Sequence, residues 1–171
     1  LMSKAVWVIN LPDNSRAVVD SGQKVSAGDC LAEKEDEKIK SPVDGKIADL
    51  NEKKVKLEFK ARKVPGEGLN NKHGWGKVTF QPKISYSMLN CDYQDQIIVL
   101  KAGYLTPHLA VKAKTLAVGG LIIFDGEPKN KNWPLPILHV DKKELKLIKK
   151  EEGVKCLLDA SNDCLLVPEK S

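Results

Sequence analysis

The sequence predicts a mixed α+β fold, with a β-rich N-terminal lobe over residues 1–95 and a small α/β lobe over residues 96–171. The second lobe is expected to carry a mainly parallel sheet and two helices. Three observations predict this. Up to residue 100, short apolar runs and period-two alternation are broken by Gly, Pro and Asp turns, as in half-buried strands. No helical period appears in that half. Beyond residue 100, apolar residues recur twice at helical spacing, each time between unbroken apolar runs.

The first lobe opens with the apolar run Val6–Ile9, stopped by Asn10–Asn14, followed by Arg16–Val19 and the turn Asp20–Gly22. Val25, the turn Ala27–Asp29 and a short strand over Cys30–Glu33 come next. Pro42, Asp44 and Gly45 place a turn between two extended pieces, and Asp-Gly is a tight-turn signal. Val55, Leu57 and Phe59 alternate with polar residues, as one buried strand face requires.

Two stretches here, Ser21–Leu31 and Ile39–Ile47, carry a family likeness. The first matches a G-x-x-V-x-x-G-D-x-L turn and the second an I-x-S-P-x-x-G-x-I turn, and together they resemble biotinyl/lipoyl-like domains of the barrel-sandwich hybrid fold. The resemblance covers roughly residues 15 to 60. It implies that Gly22, Gly28 and Gly45 permit positive φ at sharp corners while Val25 and Leu31 cap the core. It departs where the modified lysine of a swinging-arm carrier would stand. Glu33–Lys38 runs almost directly into Ser41 and Pro42, and Lys34 and Lys38 are flanked by acids. The expected role is therefore a carrier-like barrel used as a spacer or docking module, with a lipoyl or biotin carrier as the lesser alternative.

Residues 61–95 read as less regular. Gly66–Gly68 lacks the Gly-Lys-Ser/Thr ending of a phosphate loop. Trp75, set among glycines, is expected as an aromatic lid over the barrel mouth, or alternatively as a stacking platform for a sugar or base.

In the second lobe, Gln96–Leu100 reads as a strand, and Thr106 followed by Pro107 as an N-cap with proline at the first helical position. Leu109, Ala110, Ala113, Leu116 and Ala117 form one helical face, which Gly119 and Gly120 should stop. Leu121–Phe124 reads as a fully buried strand. A turn-rich segment over 125–136 precedes a strand over Pro136–Val140, then a capping box, Asp141–Glu144, opens a second helix that Gly153 ends. Val154–Leu158 and Cys164–Val167 form a hairpin. The alanine-rich helix before Gly119–Phe124, with the proline-led strand after it, is similar to protease-associated and other swivelling β/β/α domains. That likeness implies a non-catalytic domain that mediates contacts or limits access to a neighbouring site.

Ligands of open α/β sheets sit at the carboxyl ends of strands. Gly103, Thr106 and His108 at a helix N-terminus, with Asp125 on the same edge, are therefore the candidate pocket for a small anion. His139 is expected to be a packed strand residue. No nucleophile elbow, zincin, paired-carboxylate or kinase signature occurs, so no catalytic residue and no metal or other cofactor is assigned.

The chain has 171 residues and a formal charge of +5, but Arg16 and Arg62 are its only arginines, which argues against a dedicated nucleic-acid reader. No apolar run approaches the roughly 20 residues of a membrane span. Cys30, Cys91, Cys156 and Cys164 lack zinc-site spacing. They read as reduced thiols, with a Cys156–Cys164 bridge possible in an oxidising compartment. No targeting signal is visible, so a cytoplasmic location is expected, and Leu1 before Met2 reads as an added residue or a cut from a longer chain. The functional expectation is a non-catalytic protein-interaction or scaffold module of a larger complex. A small-anion binder or enzyme at Gly103–His108 is the alternative.

Overall fold

The structure, a computed structural model, describes residues 2–128 and 132–169. It is a mixed α+β protein with two α-helices among the described residues. The chain forms two compact units, Leu1–Arg62 with Pro168–Ser171, and Lys63–Val167. The division therefore falls some thirty residues before the boundary expected at 95. The reason lies within the segment expected to be less regular: Glu67–Gly68 and His73–Phe80 are strands of the second unit, while 81–95 holds turns and two 3-10 helices and no strand.

The first unit contains β1 (Met2–Asn10), β2 (Arg16–Ala17), β3 (Lys24–Val25), β4 (Cys30–Lys34), β5 (Glu37–Lys40), β6 (Gly45–Leu50) and most of β7 (Lys54–Pro65). One sheet has the order β3-β6-β7, with β1 on the other edge of β7, and the second sheet is β2-β4-β5. The period-two pattern of β7 works as expected, since Val55, Leu57, Phe59 and Ala61 are buried on one face. Leu31, Ala32 and Ile47 are fully buried as well.

Gly22 and Gly28 adopt φ of 85° and 90°, with nothing near where a Cβ would stand, so they serve the corners as expected. Gly45 does not. Its φ is not positive; a Cβ there would lie 2.5 Å from the Glu58 carbonyl oxygen, so glycine is required by the close approach of β7. The segment Ser41–Asp44 also makes no hairpin, because it carries the chain from β5 in one sheet to β6 in the other.

The second unit contains β8 (Glu67–Gly68), β9 (His73–Phe80), β10 (Gln96–Lys101), α1 (Pro107–Thr115), β11 (Gly120–Phe124), β12 (Ile137–His139), α2 (Lys142–Lys149), β13 (Lys155–Asp159) and β14 (Cys164–Pro168), whose last residue lies past the boundary. The strand order is β14-β13-β9-β10-β11-β12-β8. The centre, β9-β10-β11-β12, is parallel as predicted, while β14, β13 and β8 join antiparallel. Of the expected turn segment 125–136, residues 129–131 lie outside the described residues.

The sheet buries both faces, which explains its unbroken apolar strands. Ile98, Leu100, Leu121 and Ile123 cluster on one face with Leu109, Ala110 and Ala113 of α1. Ile97, Val99 and Ile122 cluster on the other with Ile148 of α2. Each fully buried Leu or Ile contributes about 1.5–3 kcal/mol. A nine-residue helix such as α1 is marginal alone, so this packing holds it.

Candidate functional site

The edge predicted from the sequence is assembled at the carboxyl ends of the parallel strands. Lys101 and Phe124 are register partners at the ends of β10 and β11, and the loops that follow converge. A Cβ on Gly126 would lie 3.3 Å from the Ala102 Cβ. Gly103 sits in a 3-10 turn over Ala102–Tyr104, and Thr106 is the N-cap of α1. The Thr106 hydroxyl oxygen accepts a hydrogen bond from the Leu109 N–H at 3.1 Å, so its acceptor serves the helix. His108 is exposed on the first turn of α1, and Asp125 is exposed with φ of 59° directly after β11. The four residues thus share one edge, and they line neither of the two clefts described below.

Trp75 is not in a loop. It lies within β9, opposite Leu157 of β13, with the Lys155 ammonium 4.6 Å above its ring. The glycines around it occupy tight seams instead of flexible turns. A Cβ on Gly74 would strike the Gly119 carbonyl, one on Gly76 the Asp95 carbonyl, and one on Gly119 the Trp75 carbonyl. The expected lid is therefore a half-buried strand residue.

Lys34 and Lys38 lie in the hairpin β4–β5, opposite Glu37 and Glu33 respectively, and the tip belongs to Glu35 and Asp36. Among the described residues no cluster of His, Cys, Asp and Glu has metal-binding geometry. His139 is half-buried in β12.

A Cys156–Cys164 bridge is excluded by register. Cys164 stands opposite Asp159 and Leu158 opposite Leu165, so Cys156 lies three positions along the strand from Cys164's partner and on the other face. Burial raises the Cys164 thiol above its ordinary pKa, and the Asp159 and Asp163 carboxylates add to this while Lys63 opposes it.

Two features escaped the sequence reading. In the first unit, a cleft of about 480 Å³ lies on the outer sheet face, where Lys4, Lys24, Lys46 and Lys60 surround Glu58. Lys24, Lys46 and Glu58 fall in one cross-strand row, a register that period-two lysines do not disclose alone. In the second unit, a groove of about 460 Å³ is lined by Asn70, Lys72, Val111, Asn132, Trp133 and Pro134. Trp133 is 5% exposed and its buried indole N–H has no acceptor among the described residues.

Next to that groove the outer side of α1 carries one large exposed apolar residue, Val111, among Pro107, His108, Lys114 and Thr115. Val111 is 57% exposed, and Lys112 on the same helix reaches the 3-10 turn Tyr86–Met88. Its ammonium donates to the Tyr86 carbonyl oxygen at 2.8 Å and sits 4.3 Å from the Tyr86 ring centroid.

No protein family model matches the chain, and no curated protein matches it. Among solved structures it is similar to the solution NMR structure of a UPF0107 protein, at 13% identity and a TM-score of 0.47, over 63% of this chain and 100% of that one. Two structures of a zinc aminopeptidase from Bacillus subtilis align at 12% and 14% identity, with TM-scores of 0.37 and 0.38. They cover 98% and 96% of this chain, which spans only 34% and 35% of theirs. These likenesses carry no functional assignment. The fold class stands on the strand order itself, and no helix among the described residues is long and apolar enough to cross a membrane.

Proposed function

We propose that the chain is a non-catalytic protein-interaction module whose contact surface is the outer side of α1 with the turn Tyr86–Met88. One observation carries the reading: Tyr86, Met88 and Val111, on elements that touch, are 53%, 50% and 57% exposed. Large apolar side chains exposed together mark interaction surfaces, and aromatic and methionine anchors are enriched in them. Lys72, Lys112 and Lys114 rim the patch. The partner it fits is a protein segment with apolar anchors flanked by carboxylates. The sequence likenesses to biotinyl/lipoyl-like and swivelling domains support the same reading, because such domains serve as docking parts of larger assemblies.

The test is co-purification of a tagged chain at native abundance, beside Val111→Glu and Val18→Glu variants. A stoichiometric partner lost with Val111→Glu and kept with Val18→Glu is expected. A partner equally retained by both, or no stoichiometric partner, contradicts the reading.

The convergence of Ala102 and Gly126 favours a second reading, a small-anion site at Gly103, Thr106, His108 and Asp125. A thermal-shift screen with phosphorylated metabolites tests it, with stabilisation expected to disappear in His108→Ala.

A further inference from the structure

We propose that the open edge of β1 pairs with the same edge of a second copy of this chain, giving an antiparallel β1–β1 ribbon centred on Val6. This rests on the first unit alone and is independent of the function proposed above. A sheet edge is a row of unpaired N–H and C=O groups, and natural proteins blunt it with charge, proline, bulges or shortness. Other edges here are blunted. β2, β3 and β8 are two residues long, and β5 reads Glu-Lys-Ile-Lys. β1 has only one of these devices, the single charge of Lys4, which is paired with Glu58 of the neighbouring strand. It runs nine residues in unbroken register with β7, holds no proline, and pairs with no other strand among the described residues.

The register says which groups face the open edge. The Leu11 N–H donates to the Lys53 carbonyl oxygen at 2.7 Å, directly beyond the Asn10↔Lys54 pair. Antiparallel pairs alternate between bonded and non-bonded positions, so the odd-numbered residues of β1 bond to β7. Lys4, Val6, Val8 and Asn10 then present their N–H and C=O groups outward.

With a two-fold axis at Val6, Val6 meets Val6 of the second copy and Lys4 meets Val8, so every outward group finds a partner. The charges agree with that register. Lys4 is the only charged residue in β1, its ammonium is held by Glu58 at 3.2 Å, and its counterpart across the ribbon is uncharged. Val6, 50% exposed, would meet its own copy at the axis with Val8 next to it on the same face, so the centre of the ribbon is apolar.

Sedimentation of the full chain over a concentration series tests this, together with two variants. Val6→Lys sets two ammonium groups face to face at the axis. Val6→Pro deletes an outward donor while leaving the bonds to β7 intact. The wild-type chain is expected to dimerise, and both variants to dimerise at least tenfold more weakly with unchanged circular dichroism. Amide exchange supplies a second readout: the Val6 and Val8 amides should slow as dimer forms, while Ala5 and Trp7 stay slow at every concentration. A monomeric wild-type chain, undiminished dimers in a folded Val6→Lys variant, or open-ended oligomers overturn the proposal.

Discussion

Replacing Gly119 by alanine is expected to destabilise the second unit more than any loop substitution in the chain. A Cβ there would fall on the Trp75 carbonyl, closer than real contacts allow, and 3.3 Å from the Gln96 carbonyl oxygen. Both obstacles are backbone, so neither yields by a change of rotamer. Overpacking of this kind costs about 1–3 kcal/mol. Moving the segment also strains the Gly119 N–H bond to the Gln96 carbonyl, 2.8 Å long and worth about 0.5–1.5 kcal/mol. The expected total is about 3 kcal/mol, or a fall in Tm on the order of 10–20 °C for a unit of this size.

Two controls separate close approach from backbone conformation. Gly22→Ala imposes a left-handed φ of 85° without any contact and should cost about 1–2 kcal/mol. Gly103→Ala meets nothing within 4 Å and its φ is not positive, so it should fall within about 0.5 kcal/mol of wild type. Guanidinium unfolding followed by circular dichroism ranks the three. A Gly119→Ala variant that loses less than Gly22→Ala would refute the view of the glycine-rich stretch as packed strand.

Three further predictions follow from the geometry. Thr106→Ala and Asp141→Ala should each cost about 1 kcal/mol in denaturant unfolding, since Thr106 caps one helix and Asp141 accepts from the Lys143 and Glu144 N–H groups of the other. Because the Cys164 thiol ionises above its ordinary value of 9.0 in the folded chain, the unfolded chain loses that proton first. Stability should therefore fall as pH rises beyond 9.0, with a shallower fall in Cys164→Ala, and Cys164 should react with thiol reagents more slowly than exposed Cys91. Trp133→Phe removes a buried donor that has no acceptor among the described residues, so its cost should stay below about 1 kcal/mol by the same unfolding assay, far less than Trp133→Ala.

Local signals in the sequence translated well into elements. Thr106 with Pro107, Asp141 as the cap of α2, and the unbroken run Leu121–Phe124 each depend on neighbours a few residues away, and each stands where expected. The capping box is one-sided, however: Glu144 Oε2 has no partner among the described residues. The misreadings share one cause. Gly66, Gly68, Gly74 and Gly76 look like loop residues, yet each answers to chain far off in sequence, at His139, Ala160, Gly119 and Asp95. That pattern makes Trp75 read as a lid and places the expected boundary at 95, whereas the compact units divide after Arg62. The helix stop was displaced similarly, for Ala117 at φ of 58° ends α1 while Gly119 is held by the Trp75 strand. Of the candidate site, the shared strand-end edge of Gly103, Thr106, His108 and Asp125 was legible because parallel topology dictates it. The surface proposed for contact was not, since Tyr86 and Val111 lie 25 positions apart and their elements are joined by Lys112.

The most direct test of the interaction reading places a photo-crosslinking amino acid at position 111 or at position 18, both exposed, and irradiates the chain in its native cellular context. Position 111 should yield one discrete adduct, mapped by mass spectrometry to a partner segment with carboxylates beside apolar residues, and position 18 should not. No adduct at 111, the same adducts from both positions, or a basic segment in the mapped partner would contradict the account.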